Sequence, residues 1–338
     1  MKYILIFLLV LFAAGCGDDT INNNGGSGNG DFDVYIYRMK ENPRRFSTYT
    51  VKSDGTNLSL FNDSLTVSTR SKQNRILLVK FDTAGMFISA VYHAEASGTN
   101  LVRIPLGGNN VDYFDLSPQG DKMIFTSLSS SALNIMNLDG SGVIQLSSGV
   151  IGNQYSPKFS PNGQLVAFIE TSAPSSIKGL YITNTSGTYK KLLKDSIYTS
   201  SMFSLDWSPD GSKIVYQNSL NNTADSRICT IDTSGSGYTI LSTGGSPAWS
   251  PAGNKICFTD AITPSGIDIF IMNSDGSEKM NITNSSTLFE GNNLWSNDGS
   301  KILYSSQGTF FPPYYSIYDI NTNSSRIVAD STYGAVWK

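Results

Sequence analysis

Residues 205–218 read LDWSPDGSKIVYQN, and the same phrase returns along the chain with small variations. FDLSPQGDKMIFTS begins at Phe114, PKFSPNGQLVAFIE at Pro157, PAWSPAGNKICFTD at Pro247 and NLWSNDGSKILYSS at Asn293. A weaker copy, TVSTRSKQNRILLVKF, begins at Thr66 without the turn residues. Ser-Pro-Asp-Gly is the chemistry of a type I turn: Pro presets φ at the second position, Asp or Asn follows, and Gly takes the left-handed end. Such a turn joins two antiparallel strands as a tight hairpin. The residues behind it (KIVYQN, KICFTD, KILYSS) are β-branched and aromatic, as a strand requires.

A second piece follows each phrase: ALNIMNLDGSGVIQL, GLYITNTSGTYKKLL, RICTIDTSGSGYTIL, DIFIMNSDGSEKMNIT and SIYDINTNSSRIV. Each reads as a strand, a Gly- or Asn-containing turn and another strand. One repeat is therefore four antiparallel strands. The residue before the turn serine runs Val67, Leu116, Phe159, Trp207, Trp249, Trp295, at intervals of 42–49 residues. Four strands at that period is the pattern of β-propeller blades.

Counting first strands from Thr66, Phe114, Pro157, Leu205, Pro247, Asn293 and Tyr333 gives seven. The last of them, ending GAVWK with Trp337, has no strands after it, and DVYIYRM with STYTVKSDGTNLSLF near residue 33 lack a first strand. The expected fold is all-β: a seven-bladed propeller of four-stranded antiparallel blades, closed by pairing the C-terminal strand with the N-terminal blade.

Composition fits that class. The chain has 338 residues, 39% hydrophobic, with 15% charged and a net charge of −3, which leaves no basic footprint for nucleic acid. Met1-Lys2, the apolar run 3–12 (YILIFLLVLF) and Ala-Ala-Gly-Cys at 13–16 form a segment too short to span a bilayer and typical of a signal core. The Ala-Gly-Cys ending resembles the lipobox of bacterial lipoproteins, although Ala13 stands where leucine is usual. That resemblance implies a signal peptide over 1–15, acylation of Cys16 and a lipid-anchored envelope protein. Residues 17–32, rich in Gly and Asn, are then a tether, and 33–338 the propeller.

The W-S-P-D-G-x-K-I and I-x-x-M-N-x-D-G-S units resemble the WD40-like repeats of TolB-like propellers over residues 33–338. The resemblance is specific for fold and carries no single function.

Catalytic groups are sparse. The one histidine, His93 in VYHAEAS, has no G-x-S-x-G elbow beside it and is expected to be structural. No metal or cofactor is expected. Asp210, Asp275 and Asp298 recur at turn positions, and turn formation explains them. Asp115, Lys158 and Asp206 each precede a repeat-marking residue and are candidates to line a central channel. The repeat-marking aromatics themselves read as core packing. Cys229 and Cys257 lie in strand-like runs as buried thiols, with a disulfide as the alternative.

The expected role is a monomeric, non-catalytic module that binds or scaffolds a protein or glycan partner. The alternative is a propeller enzyme, or a relative of one, acting on polysaccharide as lyase or hydrolase. Short repeated turns occupy one side of such a fold and long, varied loops the other, where function gathers. The loop-side candidates are Arg44, Arg45, Met86, Phe87, Tyr155, Tyr198, Phe289, Phe310, Phe311, Tyr314 and Tyr315.

Overall fold

The computed structural model describes residues 33–337 except 42–43, 83–86, 109, 148–152, 173–176, 199–203, 220–224, 264–265, 286, 309–312 and 331–333. For residues 33, 40–41, 44–45, 172, 177, 263 and 334 it describes the backbone alone. The segment assigned to signal peptide, Cys16 and tether lies outside the described residues. The chain divides into two compact units, described in turn: Met1–Arg103 with Ala261–Ile269 and Asn281–Lys338, and Ile104–Asp260 with Phe270–Met280.

In the first unit, β1 (Asp33–Glu41), β2 (Arg44–Lys52) and β3 (Ser59–Asn62) form a sheet with β28 (Gly334–Trp337), in the order β28-β1-β2-β3. Val34 pairs with Trp337 and Ile36 with Ala335, so the last strand supplies the inner edge that the first three lack. β4 (Thr66–Arg70), β5 (Arg75–Phe81), β6 (Ile88–Glu95) and β7 (Val102–Arg103) form the next sheet, and β24 (Phe289–Trp295), β25 (Lys301–Gln307), β26 (Tyr314–Asp319) and β27 (Ser324–Ala329) another run of antiparallel neighbours. Val34, Ile36 and Val51 share one core with Leu294, Leu303, Ile317, Val328 and Trp337, so the sheet holding β1 packs face to face on β24–β27.

The second unit repeats the plan. β8 (Val111–Leu116) to β11 (Ile144–Gln145) flank β9 (Lys122–Ser127) and β10 (Leu133–Asn137). β12 (Gln154–Phe159), β13 (Leu165–Ser172), β14 (Ile177–Asn184) and β15 (Lys190–Ile197) follow, then β16 (Leu205–Trp207), β17 (Lys213–Ser219), β18 (Ser226–Asp232) and β19 (Thr239–Thr243). The fold is all-β, built from four-stranded antiparallel sheets. β20 (Gly245–Trp249), β21 (Lys255–Thr263), β22 (Gly266–Asn273) and β23 (Met280–Asn281) join β24 through one parallel backbone pair, Ile267 with Phe289.

The turns explain the repeated phrase. Ser208 Oγ donates to Asp210 Oδ1 at 2.6 Å and accepts the Lys213 N–H at 2.9 Å, while the Gly211 N–H closes on the Ser208 carbonyl at 2.8 Å. These hydrogen bonds from Ser208 and Ser212 hold the Asp210 carboxyl below its ordinary range. The serine is thus the hub of the turn, and the aspartate is its acceptor. The residues that mark the repeat are buried: Val67, Leu116, Phe159, Trp207, Trp249, Trp295 and Trp337 are all core.

Four first strands begin earlier than the sequence suggests, at Val111, Gln154, Gly245 and Phe289. Each crosses a bulge before reaching its marker residue. In three of them the residue three places before the marker takes a left-handed φ near 50°: Ser156, Ser246 and Asn292. The bulge re-aims the strand so that the marker faces the core.

Candidate functional site

The second unit brings Asp115, Lys158 and Asp206 together, and uses them internally. Asp115 Oδ2 accepts the backbone N–H of Phe159 at 3.0 Å, and Asp206 Oδ2 accepts that of Trp249 at 2.9 Å. Each acid therefore leans from its own first strand onto the first strand of the next repeat. Asp206 Oδ1 also meets Lys158 Nζ at 3.4 Å, and the Trp207 indole N–H returns to the Lys158 carbonyl at 3.2 Å. Asp115 and Asp206 are at least nine-tenths buried. The two acids, expected as candidates to line a central channel, each tie one first strand to the next.

Burial pushes the Asp115 carboxyl up to about 6, against the restraint of Lys158 and of the Phe159 N–H, with Asp206 adding to the rise.

A second acid pair, not singled out in the sequence, lies in the first unit. Asp268 on β22 is fully buried, accepting from Asn281 Nδ2 at 2.6 Å and from Ser285 Oγ at 2.7 Å. Glu290 on β24 is also buried, with Oε1 accepting from Ser306 Oγ at 3.3 Å. Burial, reinforced by the charge of Asp268, pushes Glu290 up to about 7.

Two lysine clasps recur in the second unit. Lys190 Nζ lies 2.6 and 2.8 Å from the carboxylate oxygens of Glu170 and 4.5 Å above the Tyr181 ring, which stacks on Phe168. Two repeats on, Lys279 Nζ lies 2.5 Å from Asp260 and 4.8 Å above Phe270, which stacks on Phe258. In both, a lysine at the start of the fourth strand or just before it sits over a pair of rings and on a buried or nearly buried carboxylate. The repeat between them has Tyr216 and Asn218 on β17, Cys229 opposite Tyr216, and Tyr238 in place of lysine. Cys229 thus fills the place of a ring; burial raises its thiol, whose sulfur lies 3.6 Å from the Tyr238 hydroxyl. Both Cys229 and Cys257 are buried free thiols, which corrects the disulfide alternative.

The loop-side candidates divide. Phe87, ahead of β6, is 53% exposed and Phe289, opening β24, is 46% exposed. Tyr314 and Tyr198 are half-buried. Tyr315 is core instead of surface, 2% exposed, with its hydroxyl 3.2 Å from Asn292 Nδ2. Tyr155 lies within β12, packed on the core and edge-to-face with Tyr113 at 5.8 Å. It too leaves the loop set, because its strand opens early. Arg44 and Arg45 belong to β2, paired with Glu41 and Lys40, and their side chains lie outside the description, as do Met86, Phe310 and Phe311.

His93, on β6, lies 3.2 Å from Arg75, and burial followed by that positive charge holds its imidazole below the ordinary value. Among the described residues no three His, Cys, Asp or Glu side chains gather as a metal site, and no helix is long and apolar enough to cross a membrane.

The sequence matches no family model and no curated protein. The fold does match solved structures. TolB from Acinetobacter baumannii superposes with a TM-score of 0.52 at 20% identity, over 76% of this chain and 65% of that one. The β-propeller domain of the trilobed protease from Pyrococcus furiosus gives 0.65 at 11% identity, over 90% and 96%. An oligogalacturonate lyase solved with manganese gives 0.65 at 10% identity, over 90% and 86%. The chain has the TolB-like β-propeller fold, which a protease domain and a lyase share.

Proposed function

We propose that this chain is a lipid-anchored protein of the bacterial envelope that binds a protein or glycan through the loop side of a closed seven-bladed propeller, without catalysing a reaction. The blade count takes β20–β23 and β24–β27 as separate blades, since a single backbone pair joins them. Closure rests on the pairing of β28 with β1. The anchor rests on the lipobox-like residues before Cys16.

One contrast carries the binding reading. In the first unit, turns such as Lys52–Thr56 and Ser296–Lys301 satisfy their own polar groups: Asp54 accepts from Thr56, and Asp298 accepts from Ser296 and Ser300. At the opposite strand ends, Phe87 and Phe289 leave large rings in water. Such rings bring a large apolar area to a contact and lose little entropy in making it, so they suit recognition.

The test compares Phe87→Ala with Phe289→Ala against Asp54→Ala with Asp298→Ala. Crosslinking capture from envelope extracts and binding to a panel of polysaccharides are measured at equal folded protein. The ring pair is expected to lose capture and the turn pair to keep it. The reverse pattern puts recognition on the turn side.

A further inference from the structure

The backbone pair that joins β22 to β24, Ile267 with Phe289, is parallel, and the Ile267 N–H donates to the Leu288 carbonyl at 3.0 Å. Side chains alternate along a strand, and parallel neighbours in register point the same way. Ile267, half-buried, and Phe289, exposed, therefore share one face. Asp268 and Glu290, one residue further on, share the other, and both are buried. Two acids thus stand side by side where the two strands meet.

Their surroundings support one negative charge and not two. Asp268 accepts from the Ser285 N–H, the Ser285 hydroxyl and the Asn281 amide, at 3.2, 2.7 and 2.6 Å. Glu290 accepts from Ser306 on Oε1, while its Oε2 is buried without a hydrogen-bond partner. The titratable groups that face Glu290 are Asp268 from β22 and the Tyr304 hydroxyl from β25, whose own titration burial pushes still higher. Among the described residues no lysine, arginine or histidine opposes it. We infer that this pair is a proton-dependent latch: a proton on Glu290 keeps β22 against β24, and its loss parts the strands and frees the Phe289 end of β24 on that side.

Ionised, Glu290 is a second anion beside Asp268 in a dry site, and like charges side by side on a sheet destabilise it. Parting the strands breaks the bond from Ile267 to Leu288 and lets water reach both carboxylates. β24 stays paired with β25 from Phe289 to Trp295, so the opening is confined to the seam. Burial, with Asp268 adding to it, pushes Glu290 up to about 7 from an ordinary 4.5. The closed seam is therefore firmest below the ordinary value and weakens as pH climbs through the raised one. Control of recognition at Phe289 rests on the binding role proposed above; the latch itself does not.

Hydrogen exchange of the full chain, read by mass spectrometry from pH 5 to pH 8 and corrected for intrinsic amide rates, tests it. Peptides containing Ile267 report the seam, and peptides containing Ile317 on β26 report opening of the whole unit. Seam protection in the parent is expected to fall roughly tenfold or more over that range, with β26 unmoved. Glu290→Gln is expected to hold it level, and Asp268→Asn, which removes the neighbouring charge instead, to shrink the fall. Level protection in the parent overturns the latch. So does a fall that either variant leaves undiminished or that β26 shares in full. Crosslinking capture from envelope extracts, taken as the difference between parent and Phe289→Ala, is expected to be weaker at pH 8 than at pH 6. A seam that responds while this difference stays level leaves the latch standing and refutes recognition at Phe289.

Discussion

The indole N–H of Trp337 donates to the carbonyl of Leu294 at 3.1 Å, across 43 residues of chain. Trp207 makes the same bond to Lys158 one strand back in its own series, at 3.2 Å. The bond is thus a repeat element, and its last copy ties β28, and with it the sheet of β1, to β24.

Trp337→Phe keeps most of the buried ring and removes the donor, leaving the Leu294 carbonyl without it. A loss of about 1 kcal/mol is expected. Trp337→Ala also empties the ring site and is expected to cost about 3–5 kcal/mol. Urea denaturation checks both; equal, negligible losses would mean that β28 is dispensable.

Glu290 gives the pH dependence a definite sign. Its folded value, about 7, lies above the ordinary glutamate value of 4.5. A carboxyl raised on folding contributes stability fully below its unfolded value, and that contribution is lost as pH rises through the folded one. Glu290→Gln removes the cost of ionising. The variant is expected to be more stable than the parent at pH 8, with the gap closing as pH falls toward 5. Midpoints of chemical unfolding across that range decide it, and a gap that widens toward acid refutes the assignment.

Lys190→Met leaves the Glu170 carboxylate, 5% exposed, facing the rings without its cation. Breaking a buried pair from one side costs about 3–5 kcal/mol, whereas removing both charges costs far less. Adding Glu170→Gln to Lys190→Met is therefore expected to recover a large part of the loss. A double variant as unstable as the sum of its singles would show that the pair is not coupled.

Two turn glycines separate strain from crowding. Gly140 has φ +85°, and a Cβ there would lie 2.4 Å from Pro105 Cγ and 2.8 Å from the Pro105 carbonyl. Gly211 has φ +72° with only Pro161 Cδ nearby, at 3.8 Å. Gly211→Ala is expected to cost about 1 kcal/mol for backbone alone, and Gly140→Ala distinctly more. Thermal melts of the two variants give the comparison.

Cys16→Ser bears on the anchor. The variant is expected to leave the membrane fraction or to accumulate as uncleaved precursor. A parent protein whose mature N-terminus carries no acyl mass disproves the lipobox reading.

The strands and turns were legible because their signals are local: Ser-Pro-Asp-Gly closes on itself, and the marker residue one place before it needs no distant partner. The early opening of β12 and β20 was not legible, since it depends on Ser156 and Ser246 adopting a left-handed φ, and serine does not advertise that conformation as glycine does. That one local event moved Tyr155 from loop to strand. Tyr314 and Tyr315 show a different blindness. Adjacent strand residues face opposite ways, and nothing in the run of aromatics says which tyrosine is inward. The pairing of Asp268 with Glu290, and of Lys190 with Glu170, depends on cross-strand register over connections of variable length.

The pairing of Val34 with Trp337 also sets a timetable. A ribosome adding about 5–20 residues per second needs roughly 15–60 s to travel from one partner to the other. Through that interval β1 has exposed hydrogen-bonding groups and no neighbour on one side, which is the state in which strands aggregate or pair wrongly. The yield of folded protein is therefore expected to respond more to conditions during synthesis than the stability of the finished molecule does.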